Sequence, residues 1–366
     1  MGRDGLLGLL WAGFSYTRRQ CLVNEAALLD HLLKHKGIAW KARDTPVSTV
    51  ADDVVHSVSI NPDHLGGVDL VLVHGFANGG GCFFPILAAL GKVGRTHVVD
   101  WRGAGMSGRP RAFPPRSEQE AIAYLVEGLE TWRVAHLGPD GRFVLLGHSM
   151  GAIISTKYAE KYPQHVQHLL LAGPAGMKRS DTAQLDAFFN KTWIRRAVSR
   201  AWSAGVTPQM VLRALPGRLA PSFVRWYVNT RWQGGSGEPL SAETVDIVSS
   251  YATGVLMMRG CSERCLCLLL QPVAATRSPI GDIIEHRLPP DIPVDIIYGD
   301  KDWMSPAHGV EVVKRMKAAG RENVEIHVLP NAGHYPFICH PRRCIDVIAG
   351  ACAAAARTCA AAAPKV

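Results

Sequence analysis

The residues best suited to do chemistry are one serine, one aspartate and one histidine that are far apart in the chain. Ser149 is the centre of the segment 147–151, Gly-His-Ser-Met-Gly, which has the pattern Gly-x-Ser-x-Gly. A serine hydroxyl becomes a good nucleophile when an imidazole takes its proton and a carboxylate holds that imidazole. Asp302 and His334 each follow an apolar segment by a few residues, in the order Ser, Asp, His. We therefore predict nucleophilic catalysis by Ser149, with His334 as base and Asp302 as its partner.

Other acids and bases compete for these roles. Asp300 is the nearest rival to Asp302, which is preferred because two more residues let the chain clear the end of the preceding strand. Asp300 is then expected to brace the turn. Asp100 would precede the serine in the chain, so a loop-bracing role is favoured for it. His340 is a second choice for the base.

Glycines surround the serine and fill an earlier loop. A strand that turns directly into a helix at Ser149 has to bend sharply, and Gly147 and Gly151 remove the Cβ atoms that would block the bend. The loop after the apolar run 68–73 begins with His-Gly-Phe, and its Gly75 gives similar freedom. We predict that the backbone N–H groups of Phe76 and Met150 form an oxyanion hole.

These residues need elements that bring them to one place. Buried or alternating apolar segments predict strands, and amphipathic segments between them predict helices, for example 118–129 and 152–159. Strands that alternate with helices indicate a parallel sheet with right-handed crossovers. The predicted strands are 54–60, 68–73, 96–101, 142–146, 166–171, 293–298 and 324–329.

The alternation stops near residue 176 and resumes near residue 292, with helical patterns between. An insertion of that size at the carboxyl edge of a sheet is expected to form a cap over the serine. The expected organisation is an amino-terminal extension over 1–50, a core made of 51–176 and 287–350, a cap over 177–286 and an alanine-rich tail over 351–366.

Charge is concentrated in the expected cap. The chain carries a formal net charge of +9, and residues 177–232 contain ten Lys and Arg against two Asp. The same segment is rich in Trp and Phe. Basic residues interleaved with aromatic ones suit the headgroup layer of an anionic membrane, a nucleic acid, or simply a solvated helical surface. We favour the membrane surface and expect no nucleic acid partner.

Cysteines and apolar runs exclude other classes of protein. The nine cysteines are odd in number and lack paired Cys-x-x-Cys spacing, which favours free thiols in a reducing compartment and predicts no metal site. No apolar run approaches the roughly 18 residues of a membrane-spanning helix.

The stretch 1–14 is short and apolar and is a candidate peripheral membrane segment. Asn24 is expected to cap a helix that Gly37 stops.

The motifs together resemble the α/β-hydrolase superfamily from about Val54 to Asp346. The resemblance is closest to the subfamily of the lipid-droplet coactivator of adipose triglyceride lipase and the N-acyl-phosphatidylethanolamine lipase. It implies a mostly parallel sheet flanked by helices, a helical cap and a substrate that is a phospholipid or lysophospholipid. The segments that carry it are 74–76, 109–111, 130–133, the serine motif, 290–294, 299–303 and 333–335.

The chain departs from that subfamily at two positions. The coactivator has asparagine where Ser149 stands, so this chain resembles a catalytic relative. The acyltransferase signature, His followed by four residues and Asp, would need Asp at the position of Cys339. His286 and Asp291 reproduce the spacing elsewhere and carry little weight.

The resulting hypothesis is a serine ester hydrolase of acyl lipids, with acyl transfer as a further activity. The alternatives are a serine hydrolase of small soluble substrates, such as a peptidase or a carbon–carbon bond hydrolase, and a scaffold of the coactivator kind. No cofactor is expected. A cytoplasmic location with peripheral attachment to anionic membranes or lipid droplets is expected, and the sequence leaves the oligomeric state open.

Overall fold

The computed structural model describes residues 16–64, 66–113, 115–179, 181–216, 219–232, 240–272, 275–276 and 278–362. The candidate membrane segment 1–14 lies outside the described residues, as does the end of the alanine-rich tail. No helix among the described residues has the length and apolarity to cross a bilayer.

A mostly parallel sheet lies at the centre of the protein. Its strands are β1 Trp40–Pro46, β2 Val54–Ile60, β3 Asp69–Val73, β4 Thr96–Val99, β5 Phe143–His148, β6 Val166–Ala172, β9 Val294–Gly299 and β10 Val324–Leu329. Two short strands of the cap, β7 Leu270–Gln271 and β8 Ala275–Thr276, pair with each other. The eight main strands follow the order β1-β2-β4-β3-β5-β6-β9-β10. Only β1 with β2 and β2 with β4 pair antiparallel within this sheet of the described chain.

Helices cover both faces of the sheet and form the cap. They are α1 Arg18–Leu33, α2 Phe84–Val93, α3 Glu118–Leu137, α4 Met150–Lys161, α5 Thr182–Asn190, α6 Trp193–Ser203, α7 Pro208–Arg213, α8 Leu219–Arg231, α9 Ala242–Met257, α10 Cys265–Leu269, α11 Ile280–His286, α12 Pro306–Ala318, α13 Pro336–Cys339 and α14 Pro341–Ala362. The predicted parallel sheet with flanking helices and a helical cap is confirmed.

Alternation along the buried strands divides the core into two layers. In β3, Leu70 and Leu72 pack into the cluster that contains α2 and α14, whereas Val71 and Val73 pack into the cluster that contains α3 and α4. Successive side chains of a strand point to opposite faces, so a fully apolar strand such as β3 serves both layers.

Two features differ from the sequence prediction. Strand β1 was not predicted, because three of its seven residues are charged and most of its side chains are exposed at the edge of the sheet, so it shows no apolar pattern. The prediction that Asn24 begins a helix was wrong. The helix begins seven residues earlier, where the Thr17 and Gln20 side chains form a capping box, and Asn24 instead donates to the Ser250 carbonyl at 3.2 Å.

Helix α1 contacts the sheet and the cap at the same time. On one side Glu25, which is 4% exposed, bonds to the buried His56 of β2 at 2.7 Å. On the other side His31 contacts Thr244 of α9 at 2.9 Å. Helix α1 therefore joins the sheet to helix α9 of the cap.

Candidate active site

The chain bends sharply at Ser149, between β5 and α4. Its φ of 54° and ψ of −117° lie outside the conformations that non-glycine residues usually adopt. Its backbone N–H donates to the Ala172 carbonyl of β6 at 3.0 Å, which helps to hold this conformation. A buried apolar strand and a helix that meet without a loop therefore force the serine into a strained turn at the carboxyl edge of the sheet.

The glycines predicted to permit this turn are tightly packed. A Cβ atom on Gly147 would lie 2.5 Å from the Gly151 carbonyl oxygen, and one on Gly151 would lie 2.4 Å from the Val73 carbonyl oxygen. A Cβ atom on Gly75 would lie 2.9 Å from the Ser149 Cβ atom. Each glycine thus makes room for neighbouring backbone or for the serine itself.

The structure brings the three predicted catalytic side chains together. His334 Nε2 lies 2.9 Å from Ser149 Oγ, and His334 Nδ1 lies 2.9 Å from Asp302 Oδ1. Asp302 Oδ1 also accepts the Met304 N–H at 2.9 Å, and its side chain is fully buried. Because an ionised carboxylate only accepts, the imidazole proton belongs on Nδ1. Nε2 is then free to accept the proton of the serine hydroxyl.

The rival residues have other partners or positions. Asp300 Oδ1 accepts the Ala332 N–H at 3.1 Å, and Asp100 Oδ1 accepts the Gly80 N–H at 2.6 Å, so both brace loops. His340 Nε2 lies 2.6 Å from the Pro330 carbonyl oxygen. Asp291 precedes the amino end of β9, which is the opposite edge of the sheet from Ser149.

A second histidine supports the first. The fully buried His148 lies with Nε2 2.9 Å from the His334 carbonyl oxygen, and its ring centroid is 5.0 Å from that of His334. Burial, together with the neighbouring His334, lowers the pKa of His148 well below its usual value, so this imidazole is neutral. As a neutral donor it fixes the backbone that carries His334.

The loop before Phe76 contains another neutral histidine. Trp101 Nε1 lies 2.9 Å from His74 Nδ1, and the same nitrogen lies 2.8 Å from the Gly75 carbonyl oxygen. His74 Nε2 lies 3.4 Å from Asp100 Oδ1. Burial lowers the pKa of His74 to about 3. His74 therefore connects the loop after β3 to the loop after β4 without carrying charge.

Gly173 is a site residue that the sequence analysis missed. Its φ is +49°, and a Cβ atom there would lie 2.8 Å from Asp302 Oδ2 and 3.2 Å from His334 Nδ1. Glycine at this position leaves the space that the Asp302 carboxylate occupies. The sequence indicates that Gly173 lies where the strand pattern breaks. Its contact with Asp302 follows from the pairing of β6 with β9, which the sequence alone does not give.

The predicted oxyanion donors lie beside the serine. Phe76 and Met150 both line the cavity that contains Ser149. Among the described residues, neither amide donates a backbone hydrogen bond. The Met150 amide belongs to the first turn of α4, where unpaired N–H groups and the helix dipole favour negative charge.

The cavity in front of Ser149 is large and mainly apolar. Its volume is about 1100 Å³, and the cap supplies most of its walls. Trp303 stands at its edge, 63% exposed, with its ring centroid 5.2 Å from that of His334. Cap residues that line it include Trp202, Leu212, Phe223, Val228, Trp232 and Leu256.

Charged groups are scarce in this cavity. Of the described residues that line it, Lys301 is the one Lys or Arg, and none is Asp or Glu. Lys301 Nζ donates to Asn331 Oδ1 at 2.9 Å. Among the described residues, no group of three or more His, Cys, Asp and Glu side chains is arranged to hold a metal ion. The chemistry available to these residues is therefore that of serine, imidazole and carboxylate beside an apolar chamber.

Comparison with known proteins places this geometry in a family. The family model described as alpha/beta hydrolase fold matches residues 70–341. A 1-acylglycerol-3-phosphate O-acyltransferase of Arabidopsis thaliana is 34% identical over 75% of this chain and 64% of its own length. The chain thus spans a little under two thirds of that plant relative. The mouse (lyso)-N-acylphosphatidylethanolamine lipase is 27% identical over 81% of this chain and 82% of its own length.

A solved structure shows the same fold. The naproxen esterase of Bacillus subtilis aligns with a TM-score of 0.58 at 15% identity, over 90% of this chain and 95% of its own. The relatives confirm the resemblance to the subfamily that contains the N-acylphosphatidylethanolamine lipase.

Proposed function

The chain belongs to the alpha/beta hydrolase fold family, and from that premise we propose that it is a serine hydrolase of acyl esters in phospholipids or lysophospholipids. The observation that carries the proposal is the continuous hydrogen-bonded series from Asp302 through His334 to Ser149, which ends at a large apolar cavity. Activated nucleophiles are recognised by such contacts between nucleophile, base and orienting group.

The proposed reaction has two stages. Ser149 Oγ attacks the acyl carbonyl while His334 Nε2 takes the hydroxyl proton. The C–O bond to the leaving lysophospholipid, or to the leaving glycerophosphodiester when the substrate is a lysophospholipid, breaks as His334 returns that proton to the leaving oxygen. Water then attacks the acyl-serine while His334 takes its proton, and the bond from the acyl carbon to Ser149 Oγ breaks as His334 returns that proton to Oγ, which releases a fatty acid. The amides of Phe76 and Met150 stabilise the oxyanion in both stages.

The shape and polarity of the cavity favour an acyl lipid over a small polar ester. Aromatic and aliphatic side chains of the cap line the chamber beside Ser149, as a long acyl chain requires. The relatives named for lysophosphatidate acyl transfer and for N-acylphosphatidylethanolamine cleavage also act on acyl lipids. Lys301 at the same cavity offers one positive charge to a phosphate headgroup.

We further propose that the cap docks on an anionic lipid surface through α6. Trp193, Ile194 and Val198 of this helix are 72%, 57% and 50% exposed, and no residue of the helix is fully buried. Arg196 and Arg200, also outside the core, lie on the same helix. A helix with an exposed apolar face and a basic polar face is suited to the interface between headgroups and acyl chains.

Substitution of the nucleophile tests the chemistry. We expect Ser149→Ala to remove both ester hydrolysis and labelling by a fluorophosphonate probe while the thermal unfolding temperature stays near that of the wild type. Ser250→Ala, which removes a serine from the cap surface, serves as the matched control. Undiminished hydrolysis by Ser149→Ala would refute the mechanism.

A panel of phospholipids, lysophospholipids and soluble esters tests the substrate. Product analysis in the presence and absence of added lysophospholipid separates fatty acid release from acyl transfer. Faster turnover of small soluble esters than of every lipid would refute the acyl-lipid assignment. If diacyl phospholipid is the main product, the acceptor of the acyl group is a lysophospholipid and not water.

Vesicle binding tests the docking surface. The double substitution Trp193→Ser with Val198→Ser should reduce sedimentation with vesicles that contain phosphatidylglycerol, because it removes apolar area that enters the interface. Val310→Ser changes a valine that is 44% exposed on α12 and is the matched control. Equal vesicle binding by the double variant and the wild type would exclude α6 as the docking element.

A further inference from the structure

One buried amide side chain joins the two loops that flank Ser149. Asn78 Nδ2 lies 3.1 Å from the Phe76 carbonyl oxygen and 3.2 Å from the Tyr335 hydroxyl oxygen. The Phe76 carbonyl only accepts, so the nitrogen of the Asn78 amide must face it, and its second hydrogen points to Tyr335. Asn78 is 8% exposed, which protects both hydrogen bonds from water.

The segment around Phe76 has few other supports. Downstream, Gly80 and Gly81 are held through their N–H groups by Asp100 at 2.6 Å and by the Tyr251 hydroxyl at 2.9 Å. Among the described residues, the side-chain hydrogen bonds to segment 76–78 are those of Asn78 itself. Ala77 has a φ of 60°, a left-handed conformation that costs energy for a residue with a Cβ atom.

We infer that Asn78 is a positioning residue for the oxyanion hole, and this inference rests on the proposed function. Its bond to the Phe76 carbonyl holds the backbone that aims the Phe76 N–H at the reacting carbonyl oxygen. Its bond to Tyr335 ties that backbone to the residue directly after His334. The donor amide and the base are thereby held at a fixed separation.

The surroundings of Tyr335 connect this arrangement to the cap. Burial raises the pKa of Tyr335 well above its usual value, and the nearby Tyr227 of α8 raises it further. The Trp232 ring is 5.8 Å from the Tyr335 ring, centroid to centroid. The Tyr335 hydroxyl therefore stays protonated and accepts the Asn78 hydrogen bond within an apolar, aromatic environment.

The test compares Asn78→Ala with Asn323→Ala, which removes a similar amide bond to the Pro290 carbonyl at the opposite edge of the sheet. Removal of a direct oxyanion donor costs a factor of about 100 to 1,000 in kcat, so loss of its support should cost roughly 10 to 100. On a short-chain ester, we expect Asn78→Ala to lower kcat by this factor and to change KM little. The control should retain wild-type values.

A transition-state analogue separates positioning from general structural damage. The inhibition constant of a trifluoromethyl ketone should rise in parallel with the loss in kcat for Asn78→Ala, because both depend on the oxyanion hole. Tyr335→Phe keeps the aromatic ring and removes the acceptor of Asn78, so it should show the same signature to a smaller extent. It also provides the decisive measurement if Asn78→Ala does not fold.

Either of two results overturns the inference. They are a wild-type kcat for both variants, or a lower kcat without weaker binding of the ketone. Failure of the proposed function would look different, since the wild-type protein itself would then neither cleave esters nor react with a fluorophosphonate.

Discussion

Substitution of Asp302 by asparagine gives the most direct measure of how the histidine is used. Asp302 Oδ1 lies 2.9 Å from His334 Nδ1, and the carboxylate is fully buried. When His334 takes the serine proton it becomes a cation beside the carboxylate charge. At a separation of about 4 Å and an effective dielectric constant of about 20, that attraction is worth about 4 kcal/mol. Its loss alone corresponds to roughly a thousandfold in rate.

An asparagine amide can also present a donor to Nδ1 and so favour the wrong tautomer of His334. We therefore expect Asp302→Asn to lower kcat by about 10³ to 10⁴, as the same change does in a serine protease whose histidine is held by an aspartate in this way. Asp300→Asn is the matched control, because an asparagine oxygen can still accept the Ala332 N–H. We expect the kcat of that variant to stay within about threefold of the wild-type value, since the hydrogen bond that braces the turn is kept.

The assay is steady-state hydrolysis of a short-chain p-nitrophenyl ester, with the rate of fluorophosphonate labelling as a second readout. Thermal unfolding establishes that both variants are folded. A larger loss in Asp300→Asn than in Asp302→Asn would refute the assignment of the acid. A loss below about tenfold in Asp302→Asn would refute the electrostatic argument.

Three further predictions use other parts of the fold. Gly173→Ala should lower kcat by at least about tenfold because its Cβ atom displaces Asp302, whereas Gly350→Ala, in open space on α14, should not. Burial opposes the charge of His56, but hydrogen bonds to Asp44 and Glu25 outweigh it and raise its pKa to about 10. The charged His56 should therefore stabilise the fold fully below pH 6.5, and this stabilisation should be lost as the pH rises through about 10. The free energies of unfolding in urea of the wild type and of His56→Gln should accordingly differ at neutral pH and approach each other above about pH 10. Tyr251→Phe should lower the free energy of unfolding by about 1 to 3 kcal/mol, measured in urea, because the Gly81 N–H loses its buried acceptor.

The sharp turn at Ser149 could be predicted from the sequence because the local pattern of residues 147–151 and its setting agree. A glycine pair around Ser149, between an apolar strand and a helix, is typical of a nucleophile held at a strand-to-helix turn. Asp302 and His334 could be predicted from chain order, since residues that follow parallel strands meet at one edge of the sheet. The structure brings these side chains together, while their roles in catalysis stay predictions until the variants are measured.

Other site features depend on packing that no local pattern records. Gly173 matters because β6 lies beside β9, which places it against Asp302. Asn78 matters because its amide reaches Tyr335, a residue 257 positions away. The start of α1 was misplaced for a related reason. Asn24 has the side chain of a good cap, but in the folded protein it bonds to a distant carbonyl of α9.

The double attachment of α1 has a consequence for one wall of the chamber. Its buried Glu25 anchors it to β2, while Asn24 and His31 hold α9 in place. The part of the chamber wall that α9 supplies, Ala252 and Leu256, is thus held in place by a helix that lies outside the insertion. A chain that lacks α1 altogether would lose every one of these links between β2 and α9.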